Sequence, residues 1–277
     1  MYQVPTLSIV FMAVSALTGI AIPIVLFFIF RKKYKADIAP FFVGCAVFIV
    51  FALLIESFVH RAIFATDVGK AILNNLWLYG VYGGLMAGLF EETGRYAAFK
   101  TVLKRKRGNN GNALMYGAGH GGFEAAYLLG ISMISNIVMS VTINAGTADS
   151  LTAGVTDPAT LQRIGATVAA LAEAAPTDFL VGAAERFSAV ALHLSCSVLV
   201  WFAAKNGGRR LWFYPLAIFL HAFLNAAAVI LSKNTSNLLL LEGVIFFLAA
   251  CCVGIAAAVW KKCASGEEPA VPAEEDA

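Results

Sequence analysis

Apolar residues gather in seven runs, at about 7–30, 39–60, 75–99, 113–143, 178–204, 212–232 and 238–260, separated by short polar connections. A helix needs roughly 20 mostly apolar residues to cross a bilayer, and each run supplies about that many. The pattern predicts an all-α, polytopic membrane protein with about seven transmembrane helices in one bundle. The first run is longer than a signal-peptide core and has no basic segment before it, so it is expected to be a retained helix.

The one long connection, 145–177, mixes Gly, Thr and Asp with a short amphipathic run around Leu161 to Ala172. It reads as a solvated loop with a turn or two of helix, and a surface helix or lid is the alternative. Residues 265–277, with Glu267, Glu268, Glu274, Glu275 and Asp276 among Pro and Ala, read as a disordered acidic tail. The transmembrane domain then covers 1–264, with a catalytic core at about 75–232. No internal repeat is evident, which counts against a transporter built from duplicated halves.

Composition sharpens the class. Hydrophobic residues are 60% of the 277 and charged residues only 13%, and the mean hydropathy is +0.77. That leaves no room for a large soluble domain. The net charge of +3 decides little, because placement is what orients a membrane protein. Arg31, Lys32, Lys33 and Lys35 follow the first run, Lys100, Lys104, Arg105, Lys106 and Arg107 the third, Lys205, Arg209 and Arg210 the fifth, and Lys261 and Lys262 the seventh. The other side carries only Arg61, Lys70, Arg163 and Lys233. The N-terminus is therefore expected outside and the C-terminus in the cytosol.

The expected location is a plasma membrane, bacterial by this reading, with the lipid bilayer and a membrane peptide as partners and no nucleic acid. The five cysteines, Cys45, Cys196, Cys251, Cys252 and Cys263, show no metal-type spacing and read as small buried hydrophobes. Trp77, Tyr79, Tyr82, Trp201, Trp212, Tyr214 and Trp260 read as interfacial anchors near the ends of the runs.

Ionisable groups in hydrocarbon cost at least about 2.5 kcal/mol each, which makes them functional candidates by default. The third run carries Glu91, Glu92 and Arg95, the fourth His120 and Glu124, the fifth Glu185, Arg186 and His193, and the sixth His221 and Asn225. At about 1.5 Å per residue, Glu91 lies roughly 13 Å from Lys100, Glu124 roughly 17 Å from the start of its run, His193 roughly 18 Å from Lys205 and His221 roughly 14 Å from the start of its run. Four helices thus place acid and imidazole groups in one layer on the cytosolic half. Glu91 with Arg95, His120 with Glu124, and His221 with Asn225 are i, i+4 pairs that share a helix face. Arg95 is also at i+3 from Glu92, so spacing permits it to pair with either glutamate. Glu185 and Arg186 lie near the outer surface, and Glu56, His60 and Glu242 near span ends, where structural roles are expected.

Amide hydrolysis needs an activated water, a stabilised oxyanion and a proton donor for the leaving amine, and a carboxylate among imidazoles in a dry site can supply all three. Zinc on His120, His193 and His221 is a variant, but no His-Glu-x-x-His pattern supports it, so metal-free catalysis is favoured. Buried ion pairs that only fix helix packing, a proton-coupled transporter and a non-catalytic scaffold are the competing readings.

The glutamate pair followed by Arg95, then Phe123-Glu124, His193, and His221 four residues before Asn225, in successive helices, resembles the YhfC-type membrane peptidases. These are relatives of PrsW and of the type II CAAX prenyl proteases. The resemblance implies a glutamate-type intramembrane endopeptidase. Carried over, Glu91 is the general base, Glu92 and Arg95 its structural partners, and His221 with Asn225 the oxyanion side; His193 and either His120 or Glu124 fill the remaining positions. One departure is that only Thr93 and Gly94 separate Glu92 from Arg95, where the prenyl proteases have three residues.

Overall fold

The computed structural model describes residues 2–264, and its regular structure is helical: α1 (Thr6–Tyr34), α2 (Ala39–Phe64), α3 (Asp67–Leu73), α4 (Leu76–Lys100), α5 (Gly111–Asn144), α6 (Pro158–Glu173), α7 (Asp178–Asn206), α8 (Phe213–Asn234) and α9 (Leu238–Ala264). The acidic tail expected at 265–277 lies outside the described residues. Among the described residues six helices are long and apolar enough to cross a membrane: α1, α2, α5, α7, α8 with the turn before it, and α9. Their apolar side chains lie bare, Leu17 at 68%, Phe42 at 62% and Phe246 at 66% exposure, as lipid-facing residues do. α4 is long enough at 25 residues but is less apolar, because it carries Glu91, Glu92 and Arg95.

The chain divides into two compact units. One holds the residues up to Ile24 with Glu124–Phe187, and the other holds Val25–Phe123 with the residues from Ser188 onward. α1, α5 and α7 contribute to both.

The second unit is built on close helix contacts. A Cβ on Gly84 of α4 would strike the carbonyl oxygen of Ala222, and one on Gly88 would lie 2.7 Å from that of Ile218, so α4 and α8 touch backbone to backbone. Asn75 starts α4 by accepting from the amides of Trp77 and Leu78 at 3.0 and 3.1 Å. Beyond the last turn of α4 a polar clasp joins the connections. Asn112 accepts from the Asp37 amide at 2.7 Å and donates to its carboxylate at 2.9 Å. The Asn112 amide holds the Asp37 carboxyl below its ordinary value, with Lys106 adding to the effect. Trp201 departs from the interfacial placement expected of it. It is wholly buried against Phe99, and its indole N–H donates to Asn110 at 3.0 Å, so a partner inside the protein replaces the headgroup region.

In the first unit, 145–177 is more ordered than its Gly- and Thr-rich composition predicts. Asp157 accepts from the Thr160 amide at 2.8 Å and Pro158 opens the helix, so α6 runs for 16 residues. It buries Val168 and Leu171 with Met12 and Ile143. This apolar stripe turns a loop into a docked helix of over four turns. Arg186 of α7 bridges Glu185 and Glu124, the latter at 2.8 Å.

Candidate active site

Six charged or imidazole side chains from four helices are buried together in the second unit. Glu91, Glu92 and Arg95 come from α4, His120 from α5, His193 from α7 and His221 from α8, and none exceeds 6% exposure. Close packing brings them there. Gly88 seats α4 on α8 one turn before Glu91, and a Cβ on Gly121 would lie 2.7 Å from that of His193, so α5 and α7 meet where His120 and His193 project.

The two glutamates serve different partners. Adjacent helical residues point about 100° apart. Oε2 of Glu91 lies 2.8 Å from Nε2 of His120. Glu92 turns to Arg95, which binds both of its oxygens through Nη1, and to Nδ1 of His221 at 2.7 Å. Nη2 of Arg95 donates to Nδ1 of His193 at 3.2 Å. A guanidinium can only donate, so this nitrogen of His193 is the acceptor and its proton sits on Nε2. By the same logic Nδ1–H of His221 donates to the Arg95-paired Glu92, which turns Nε2 toward Glu91. Nδ1 of His193 and Nε2 of His221 stand 3.9 and 4.0 Å from Oε2 of Glu91, beyond direct hydrogen bonding. Aromatic rings wall the cluster: Phe48 meets His120 edge-on at 5.4 Å, and Tyr116 lies 5.9 Å from the His120 ring and 5.7 Å from the Arg95 guanidinium.

Two of the eight candidate residues stand apart. Glu124 belongs to the other unit, in the ion pair with Arg186. Asn225 is half-buried one turn after His221, and among the described residues no hydrogen bond joins it to the cluster. Cys196, read from the sequence as a small hydrophobe, is buried beside Glu92 and His221. Three residues past His193, it shares that face of α7, which was the available signal. Tyr116 precedes His120 by four and was legible in the same way.

The cluster also fits a divalent ion in donor type. Glu91, His193 and His221 each place one ligand atom within 4.8 Å of the others, as do Glu92, Cys196 and His221. His120, one of the three histidines of the zinc variant, is bonded to Glu91. The Arg95 contact engages Nδ1 of His193, so ion binding through that nitrogen displaces a guanidinium. The arrangement has the composition of a catalytic or metal centre.

Comparison with known proteins agrees with this picture. A family described as YhfC intramembrane metalloprotease matches residues 18–245. The uncharacterized membrane protein YhfC of Bacillus subtilis (strain 168) is 37% identical over 228 residues, covering 82% of this chain and 86% of that protein. No solved structure matches. With most of its length matched in both comparisons, this multi-pass membrane chain belongs to the YhfC family.

Proposed function

We propose that the protein is an intramembrane endopeptidase that hydrolyses an amide bond of a membrane-embedded or membrane-associated substrate. The observation that carries this reading is the convergence of Glu91 with three imidazoles from three other helices in a buried site. The family's description as a protease supports it, as does the resemblance of the glutamate pair to PrsW and the type II CAAX prenyl proteases.

In this mechanism Glu91 takes a proton from a water as its oxygen attacks the scissile carbonyl carbon. His120 holds the Glu91 carboxylate in place, and Nε2 of His221 accepts the other hydrogen of that water. Nε2–H of His193 donates to the oxyanion, which a dry site rewards more than water does. As the C–N bond breaks, Glu91 returns its proton to the leaving nitrogen. Arg95 and Glu92 do not touch substrate; they fix the tautomers of His193 and His221. Asn225 extends the oxyanion side if substrate binding draws its amide inward. The positive-inside pattern supports a topology of seven crossings with the N-terminus outside, in which this chemistry lies in the cytosolic half of a plasma membrane.

The second reading is a metal-dependent form of the same hydrolysis, favoured by the donor grouping and the family's description. Glu91, His193 and His221 would hold the ion, which when bound supplies Lewis-acid polarisation and a more acidic water.

The test is comparative mass spectrometry of membrane peptides from cells making the wild type or Glu91→Gln. Peptides with new termini are expected only with the wild type, and identical peptide sets would reject the proteolytic reading.

A further inference from the structure

We propose that the apolar groove bounded by α1, α5, α7 and α9 is a binding site for one anionic phospholipid, whose acyl chain fills the groove and whose headgroup meets Lys33 at its mouth. The site is separate from the catalytic cluster and does not rest on the proteolytic reading.

The groove encloses about 430 Å³, and its walls are almost wholly apolar. Small side chains open it: Ala191 on α7 with Ala256 and Ala257 on α9. It runs along the helix axes, since Val253 and Trp260 both line it and stand seven residues apart, about 10 Å at the helical rise. That is the direction in which a lipid chain lies. At one end are Tyr34 and Trp260, with ring centres 6.0 Å apart, the pairing expected at headgroup depth.

Charge complementarity selects the occupant. Nζ of Lys33 sits 5.5 Å from the centre of the Tyr34 ring, which places a cation at the mouth. Asp37, the acidic residue of the neighbouring connection, is engaged by Asn112 and Lys106. An apolar slot capped by aromatic rings and a lysine matches a phospholipid with a negative headgroup. An apolar peptide segment would make no use of the cation.

The α7 wall of the groove includes Leu194, directly after His193, and a Cβ on Gly117 would lie 3.1 Å from Cα of Leu194. A lipid in the groove therefore braces the helix turn that presents His193.

Native mass spectrometry of the full chain in mild detergent tests this, with phosphatidylglycerol and phosphatidylethanolamine of matched acyl chains as probes. The wild type is expected to retain one phosphatidylglycerol with roughly fivefold preference. Lys33→Gln should bring the two lipids to parity, whereas Ala256→Phe or, as a second filling variant, Ala191→Leu should remove both adducts while the thermal transition persists. Equal retention of both lipids by the wild type, or an undiminished adduct in a filled variant that stays folded, overturns the site. A dimer that displaces the lipid peak would assign the groove to a second copy instead.

Discussion

Nε2 of His120 lies 2.8 Å from Oε2 of Glu91, a contact between α5 and α4 that joins two groups 29 positions apart in the chain. Neighbouring Glu92 makes no use of His120 and is bound instead by Arg95 and His221. One glutamate thus faces His120, and the other is taken up by Arg95 and His221. The predictions follow from that division.

Arg95→Ala should be a folding lesion. It strands the wholly buried Glu92 carboxylate and removes the donor to His193, and breaking a buried pair by deleting one partner costs about 3–5 kcal/mol. Adding Glu92→Gln to Arg95→Ala should recover part of the loss, because the unpaired charge is gone. Thermal unfolding of the two variants in detergent checks this; equal transitions for wild type and Arg95→Ala would contradict the pairing.

Gly121→Ala probes how α5 meets α7. The added methyl would sit 2.7 Å from Cβ of His193, a group too near the backbone to swing away. Overpacking of this kind costs about 1–3 kcal/mol. Cleavage by the folded fraction should also fall, since His193 is pushed from its Arg95 contact. Wild-type cleavage by a destabilised protein would separate the two effects and weaken the role given to His193.

Metal dependence turns on the single carboxylate of Glu91, which cannot be both a ligand and the free base. With Glu91 as base, protein stripped by strong chelators retains cleavage. Loss on stripping, with recovery on adding zinc and one bound ion per chain by elemental analysis, would make the hydrolysis metal-dependent, with Glu91, His193 and His221 or Glu92, Cys196 and His221 as the ligands.

Orientation is checked by fusing reporters along the chain. Fusions after Arg107 and Arg210 should report a cytosolic location, and one near Asp149 an external one. A cytosolic reading at Asp149 would move the site to the other leaflet.

The helices and the layer of buried ionisable groups were legible in the sequence because hydrocarbon imposes long apolar runs and makes every buried charge conspicuous. The pairings within the layer were not. Helical spacing permitted Arg95 to reach either glutamate and put His120 and Glu124 on one face. In the structure Arg95 takes Glu92, His120 takes Glu91 across helices, and Glu124 takes Arg186. Those choices depend on which backbones approach closely, as at Gly84 and Gly121, and a single helix does not encode that. Trp201 shows the same limit: its place near a span end suggested lipid headgroups, but Asn110, 91 positions away, supplies the partner that lets it be buried.

The central claim is that Glu91 acts on the reacting water while Glu92 holds the imidazoles. Cleavage of an identified substrate by purified Glu91→Gln and Glu92→Gln, with thermal stability recorded for each, tests it most directly. Glu91→Gln should remain folded and lose a factor on the order of 10² to 10⁴ in rate. Glu92→Gln should lose stability as well as rate, because it gives up its charge pairing with Arg95 and His221. A Glu91→Gln protein that cleaves at the wild-type rate, beside a folded and inactive Glu92→Gln, would reverse the assignment.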